Sequence, residues 1–173
     1  PKVIHEFVRP SKVGSTVSLY FSEAGGGIGR NQVILDTDSN GSKSWKLELG
    51  PKLGVFADDS SKVAIETAFR YVKAHLDELG IKLQKGKTYT LSAGKEDIGQ
   101  SHSGSSSTCA HIISMVSALT NRKVKGNVSM TGQVSPHGRL MEIGGLPEKL
   151  AGAKRAGIKK VFIPKANQKD LDD

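Results

Sequence analysis

β-Branched and aromatic residues alternate with polar ones over residues 3–8 and 16–21, so both stretches read as strands. Residues 32–36 and 44–49 read as two more, paired with each other around Asp38-Ser39-Asn40-Gly41, where Asn-Gly is a strong hairpin signal. Between them and the earlier strands lies Gly25-Gly26-Gly27-Ile28-Gly29-Arg30. No Gly-Lys-Ser/Thr follows it and no helical pattern opens after it, so it reads as a mobile hairpin loop rather than a phosphate loop. The first part of the chain is therefore expected to be a β-meander.

From Asp59 the period changes. Ile65, Ala68, Phe69, Val72, Leu76 and Leu79 recur at helical spacing, with Asp59 or Ser60 to cap the start and Gly80 to end the helix. Residues 87–91 follow as a strand and 92–102 as a polar connection bordering a site. A second helical pattern carries Cys109, Ile112, Ile113, Val116 and Leu119 and runs out near Asn121. After it come a strand over 124–130, a turn over 132–138, a short strand over 139–143, a helix through Ala156, a strand over 160–163 and a last helix near Asn167, cut off at Asp173. These elements define an α/β (α+β) fold in a single domain over residues 1–173, read as a piece of a longer chain.

Two segments carry candidate chemistry. Ser103-Gly104-Ser105-Ser106-Ser107-Thr108 leads small residues into the Cys109 helix, which places hydroxyls and backbone N–H groups at a helix N-terminus. Such an end holds unpaired donors and partial positive charge, suited to a developing oxyanion. Gly144-Gly145-Leu146-Pro147-Glu148-Lys149 opens the later helix and sets Lys149 one turn inside it, beside the apolar Leu146, Leu150 and Ala153. Each residue also has a plainer reading: a serine there as helix cap or loop filler, Lys149 as a solvated helix lysine, Thr131 as a strand residue satisfying a turn.

Composition narrows the setting. With 36% hydrophobic residues and 5% aromatic, the core is built mainly of aliphatic side chains. A single cysteine excludes an internal disulfide and fits a reducing compartment. No apolar run approaches the roughly 20 residues of a membrane span and the start lacks a signal-peptide pattern, so a cytoplasmic location is expected. The net charge of +8 is spread along the chain without interleaved aromatics, which favours a basic solvated surface over a nucleic-acid site. Five histidines and one cysteine show no metal-ligand spacing. A Ser-His-Asp triad drawing on Asp97, His102 or His111 is conceivable but has no fixed geometry, and Cys109 falls on the apolar helix face as a small core residue rather than a nucleophile.

In order and spacing, Ser103 to Thr108, Met130-Thr131-Gly132-Gln133, Gly144-Gly145-Leu146-Pro147-Glu148-Lys149-Leu150 and Ala156-Gly157-Ile158-Lys159-Lys160-Val161-Phe162-Ile163-Pro164 resemble the proteolytic domain of Lon proteases. The resemblance is close from about Ser103 to Leu171 and weak before. It implies a catalytic dyad at Ser106 and Lys149, with Thr131 helping to hold the lysine and backbone N–H groups near Ser105 to Ser107 stabilising the oxyanion. A base role needs the amine neutral, which burial against Leu146 and Leu150 favours.

The chain departs from the family pattern in places. The nucleophile motif, Asp-Gly-Pro-Ser-Ala-Gly or Asp-Gly-Asp-Ser-Ala-Ser in Lon proteases, is Ser-Gly-Ser-Ser-Ser-Thr here. Thr-Gly-Glu is Thr131-Gly132-Gln133, and Pro147 replaces a polar residue. The resemblance implies a serine endopeptidase acting on unfolded or flexible polypeptide, assembled as a homo-oligomeric ring, commonly a hexamer. It implies no cofactor in the domain itself. ATP and Mg enter only through an ATPase module, in cis or on a partner, since this chain carries no Walker motif. The alternative is a non-proteolytic Lon-like domain serving assembly or DNA-associated work.

Overall fold

The computed structural model describes residues 10–23, 25–38, 45–49, 59–95, 105–135 and 137–171. In chain order the elements are β1 (Lys12–Val13), β2 (Ser15–Ser22), β3 (Gly25–Asp38), β4 (Trp45–Leu49), α1 (Asp59–Ala74), β5 (Thr88–Lys95), α2 (Thr108–Thr120) entered through a 3-10 turn (Ser105–Ser107), β6 (Lys123–Val124), β7 (Val128–Met130), β8 (Gln133–Val134), β9 (Leu140–Met141), α3 (Leu146–Arg155), β10 (Lys160–Phe162) and a closing 3-10 helix (Lys165–Leu171). The mixed α and β content matches the expected fold class. The strand expected over residues 3–8 and the Asn40-Gly41 turn lie outside the described residues.

Six strands form the main sheet in the order β10-β7-β2-β3-β5-β4. β2 and β3 pair antiparallel, with Leu19 opposite Ile28 and Thr16 opposite Asn31. The expected meander stops there. β4 does not return beside β3; it pairs parallel with β5, Leu47 opposite Leu91, while β5 runs antiparallel to β3. The reason is topological. A parallel pair needs a crossover, and α1 lies between β4 and β5 in the chain and supplies it. β7, α3 and β10 repeat the arrangement, with β10 parallel to β7.

The sheet is covered on both faces. On one, Val33, Leu91 and Ala93 pack with Ile65, Ala68 and Val72 of α1 and Ile112, Met115 and Ala118 of α2. On the other, Val17, Leu19 and Ile28 meet Ala153 of α3 and Ala156 at its C-cap. The hydroxyl-rich face of α2 also turns inward: Ser114 Oγ lies 2.6 Å from Thr16 Oγ1, and Ser117 Oγ accepts from the Gly14 N–H at 2.8 Å. Small polar residues let the helix approach the strands while giving buried groups a partner. Ile113, expected on the packed face, is 37% exposed instead.

Several boundaries move for local reasons. α1 stops at Ala74, a turn before the apolar pattern ends, because His75 Nδ1 donates at 2.8 Å to the Tyr71 carbonyl that an i−4 backbone bond would have used. Its backbone N–H turns to Val72 O at 3.2 Å. Leu76 and Leu79 then sit in a turn closed by Gly80, with Ile81 N–H donating to Leu76 O at 2.9 Å. α2 ends at Asn121 as expected, in a left-handed C-cap. The strand expected over 124–130 divides into β6 and β7, residues 92–95 of the expected connection continue β5, and the last helix is a 3-10 turn starting at Lys165. Among the described residues no helix is long and apolar enough to cross a membrane.

The glycine cluster is strand, not loop. Gly26 and Gly27 belong to β3, paired with Phe21 and Tyr20. Their lack of side chains serves the helix behind them: a Cβ on Gly26 would run into the Glu148 carbonyl, and one on Gly152 would lie 2.5 Å from Gly26 C and Gly27 N. Arg155 also donates to the Gly26 carbonyl. Strand and helix therefore meet backbone to backbone, which anchors α3 to the sheet.

This contact yields a stability prediction. Gly152→Ala forces a methyl between two backbones and is expected to cost about 1–3 kcal/mol, whereas Gly144→Ala, where an added Cβ meets nothing within 4 Å, changes stability by less than about 0.5 kcal/mol. Urea unfolding of the two variants beside wild type measures the difference; equal stabilities would remove the close approach from the account.

Candidate active site

Ser106 sits in the 3-10 turn that feeds α2. Small polar residues favour such a turn because their side chains bond the local backbone, and Thr108 Oγ1 donates to Ser105 O at 2.6 Å. The segment after β7 clasps this turn. Gly132 N–H donates to the Ser106 carbonyl at 2.8 Å, Cys109 N–H donates to the Gly132 carbonyl at 3.1 Å, and Ser105 Oγ donates to Gln133 Oε1 at 3.0 Å. Two departures from the family pattern named above, Ser105 and Gln133, are thus bonded to each other.

Lys149 approaches from the opposite face. Gly145 opens α3 in the left-handed region, with the Phe21 ring packed where a side chain would project. One turn in, Lys149 is 5% exposed in company with the buried Leu146 and Ala153. Its Nζ donates to Ser106 Oγ at 3.2 Å, across 43 positions of sequence. Burial lowers its pKa from the ordinary 10.5, because the charged form loses hydration. The structure thus brings together the two residues expected to act as a pair.

Thr131 follows directly on β7. Its N–H donates to Phe162 O at 3.0 Å, and its hydroxyl is buried without a hydrogen-bond partner among the described residues. It makes no bond to Lys149 here. Of the triad candidates, Asp97 and His102 lie outside the described residues, and His111 is fully buried within α2. Cys109 packs beside the core, and burial pushes its thiol pKa up, away from the thiolate. Among the described residues no three His, Cys, Asp or Glu side chains group to hold a metal ion.

A cavity of about 310 Å³ opens over Ser106 and Lys149, walled by Leu19, Tyr20 and Phe21 of β2 and by Gln133, Glu142 and Ile143. Glu142 pairs with Lys169 at 2.9 Å on the exposed rim. Asn167 holds the far wall by mimicking a strand: its Oδ1 accepts from Ile143 N–H at 2.9 Å and its Nδ2 donates to Ile143 O at 2.8 Å. Sequence reasoning missed Gln133, Asn167 and the β2 wall as site residues. Only the Thr-Gly-Gln motif pointed toward any of them; the others are remote in sequence and signal nothing locally.

The site thus sets a buried amine in hydrogen-bond contact with a serine hydroxyl at the head of a helix, beside an open cavity. The Lon protease C-terminal proteolytic domain matches residues 3–173, and the chain belongs to this family. It is 35% identical over 169 residues to the Lon protease of Finegoldia magna, covering 97% of this chain and 20% of that protein. With Lon protease 1 of Bacillus subtilis the figures are 34% over 162 residues, 94% and 20%, and with the Porphyromonas gingivalis Lon protease 30% over 160 residues, 92% and 18%. The chain thus spans about a fifth of the length of the curated relatives it matches.

The lowered pKa of Lys149 has a consequence for stability. Between its folded value and 10.5 the unfolded chain carries a proton that the folded chain has released, so this residue's contribution to stability rises with pH across that window. Urea unfolding of wild type and Lys149→Met at stepped pH is expected to give a difference that climbs through the window and flattens above 10.5. A flat difference would show that the amine keeps its hydration.

Proposed function

We propose that this domain is a serine endopeptidase in which Ser106 is the nucleophile and Lys149 the general base. The observation that carries the reading is the 3.2 Å contact between the buried Lys149 amine and the Ser106 hydroxyl. The neutral amine takes the hydroxyl proton as Ser106 Oγ attacks the scissile carbonyl. Negative charge gathers on the carbonyl oxygen, and the backbone N–H groups of the Ser105–Ser107 turn, at the positive end of α2, receive it. Collapse of the tetrahedral intermediate passes the proton from Lys149 to the leaving amine and leaves an acyl-serine. Lys149 then removes a proton from water, which hydrolyses the ester and restores both residues.

While protonated, the lysine needs a second acceptor. We assign that role to Thr131, whose buried hydroxyl has no other hydrogen-bond partner among the described residues. The substrate is an extended, unfolded or flexible polypeptide, a reading supported by the open cavity with both apolar and polar walls. We place the domain in the cytoplasm, within a homo-oligomeric ring fed by an ATPase module; the relatives, of whose length this chain spans about a fifth, have room for such a module. The glycine cluster of this chain, committed to packing against α3, does not fit a nucleotide-phosphate site. ATP handling is therefore left to the module.

A serine-reactive peptidyl boronate, read by intact mass, tests the dyad. One adduct on wild type, absent from Ser106→Ala and Lys149→Ala, supports it. In peptide hydrolysis both variants are expected to lose on the order of 10³-fold or more in kcat. The rate should rise with pH and level off above the folded Lys149 pKa, below 10.5, since only the neutral amine accepts a proton. An adduct kept in Lys149→Ala would transfer the base role elsewhere. No adduct in any assembly state, with DNA binding that weakens steeply with salt, would favour the non-proteolytic alternative.

A further inference from the structure

We infer that Gln133 is a positioning residue for the nucleophile, acting through Ser105 as an uncharged acceptor that fixes the rotation of the Ser106 turn. This deepens the endopeptidase reading and rests on it. The two backbone bonds of the clasp, Gly132 N–H to Ser106 O and Cys109 N–H to Gly132 O, both join α2's entry to the single residue Gly132. Bonds converging on one residue act as a pivot, holding the distance between the segments more firmly than the angle of the turn about it.

The Ser105 Oγ to Gln133 Oε1 bond, 3.0 Å long, lies off that pivot. It anchors the residue immediately before Ser106 to the one immediately after Gly132. Thr108 Oγ1 holds the Ser105 carbonyl at 2.6 Å, so the side-chain bond acts on a turn already stiffened from within. Rocking would swing Ser106 Oγ along an arc and open its 3.2 Å contact with Lys149. Reaction rates fall steeply with displacements of about 1 Å.

The neutrality of the acceptor matters as much as its reach. Gln133 lines the same cavity as Ser106 and Lys149. A carboxylate at this position would accept from Ser105 equally well. It would also set a negative charge facing the lysine, favour the ammonium and leave less of the amine free to take a proton. Among the described residues, the charged and titratable groups facing that cavity are Lys149 itself, Tyr20 and, on the rim, Glu142, which pairs with Lys169. Position 133 is therefore where an added charge would reach the base from within.

The test compares the chain with Gln133→Leu, Ser105→Ala, the double variant and Gln133→Glu, each shown folded by circular dichroism. Readouts are boronate adduct formation, and kcat and KM on a fluorogenic peptide across pH. Gln133→Leu and Ser105→Ala should each lower kcat by roughly 10- to 100-fold with little change in KM, and the double variant should lose no more than the larger single effect. Gln133→Glu should keep most of the plateau rate while its pH profile moves to higher pH, a shift that a merely structural residue would not cause. Singles equal to wild type, additive losses, or a Gln133→Glu profile superimposed on wild type would each overturn the inference while leaving the dyad standing. A wild-type chain that neither forms an adduct nor cleaves peptide would instead remove the endopeptidase reading, and this one with it.

Discussion

The site depends on a contact that contains no functional group. Strand β3 and helix α3 meet at Gly26 and Gly152 with nothing but backbone between them, and the Glu148 carbonyl rests where a Gly26 side chain would be. Helices packed on sheets are normally held off by the side chains of both surfaces. Removing those side chains lets α3 sink toward the sheet, and Lys149, next to Glu148, sinks with it. Its amine then reaches the Ser106 hydroxyl from the far side of the chain's sequence. Length alone would let a solvated lysine reach as far, but only a sunken one arrives without its water.

Burial does two opposed things here. It takes hydration from the ammonium, which disfavours the charged form and costs stability wherever the lysine is protonated. The same loss makes the amine available as a proton acceptor nearer to neutrality. The surrounding packing absorbs that cost: Leu146 and Ala153 are almost fully buried beside the lysine, and Val17, Leu19 and Ile28 lie beneath the helix. The serine is prepared by other means. Backbone bonds to Gly132 and a side-chain bond to Gln133 fix its turn, so order at Ser106 comes from hydrogen bonds and order at Lys149 from apolar contact.

Local chemistry was legible wherever neighbours in sequence supply the interaction. The 108–120 helix with its stop at Asn121, the Gly-Gly entry to the Lys149 helix and the strand over 160–162 follow from periodicity and capping alone. The early end of α1 was not, because the competitor is a histidine ring reaching the carbonyl of Tyr71. The place of β4 was not, because the Asn-Gly signal concerns one turn, whereas the choice of partner strand is made by the α1 crossover and by the burial of Leu91 and Ala93 between sheet and helices.

By itself the sequence determined the alternation of strands and helices and the family to which residues 103–171 point, and through that family it pointed to Ser106 and Lys149. Motifs and periods are short-range, and those are short-range facts. The tertiary structure decided that the glycine cluster is strand packed under a helix, that Thr131 turns its hydroxyl inward without bonding the lysine, and that Gln133 reaches Ser105. These depend on which surfaces cover one another, and a pattern of apolar positions announces a face to be buried without naming what will lie against it.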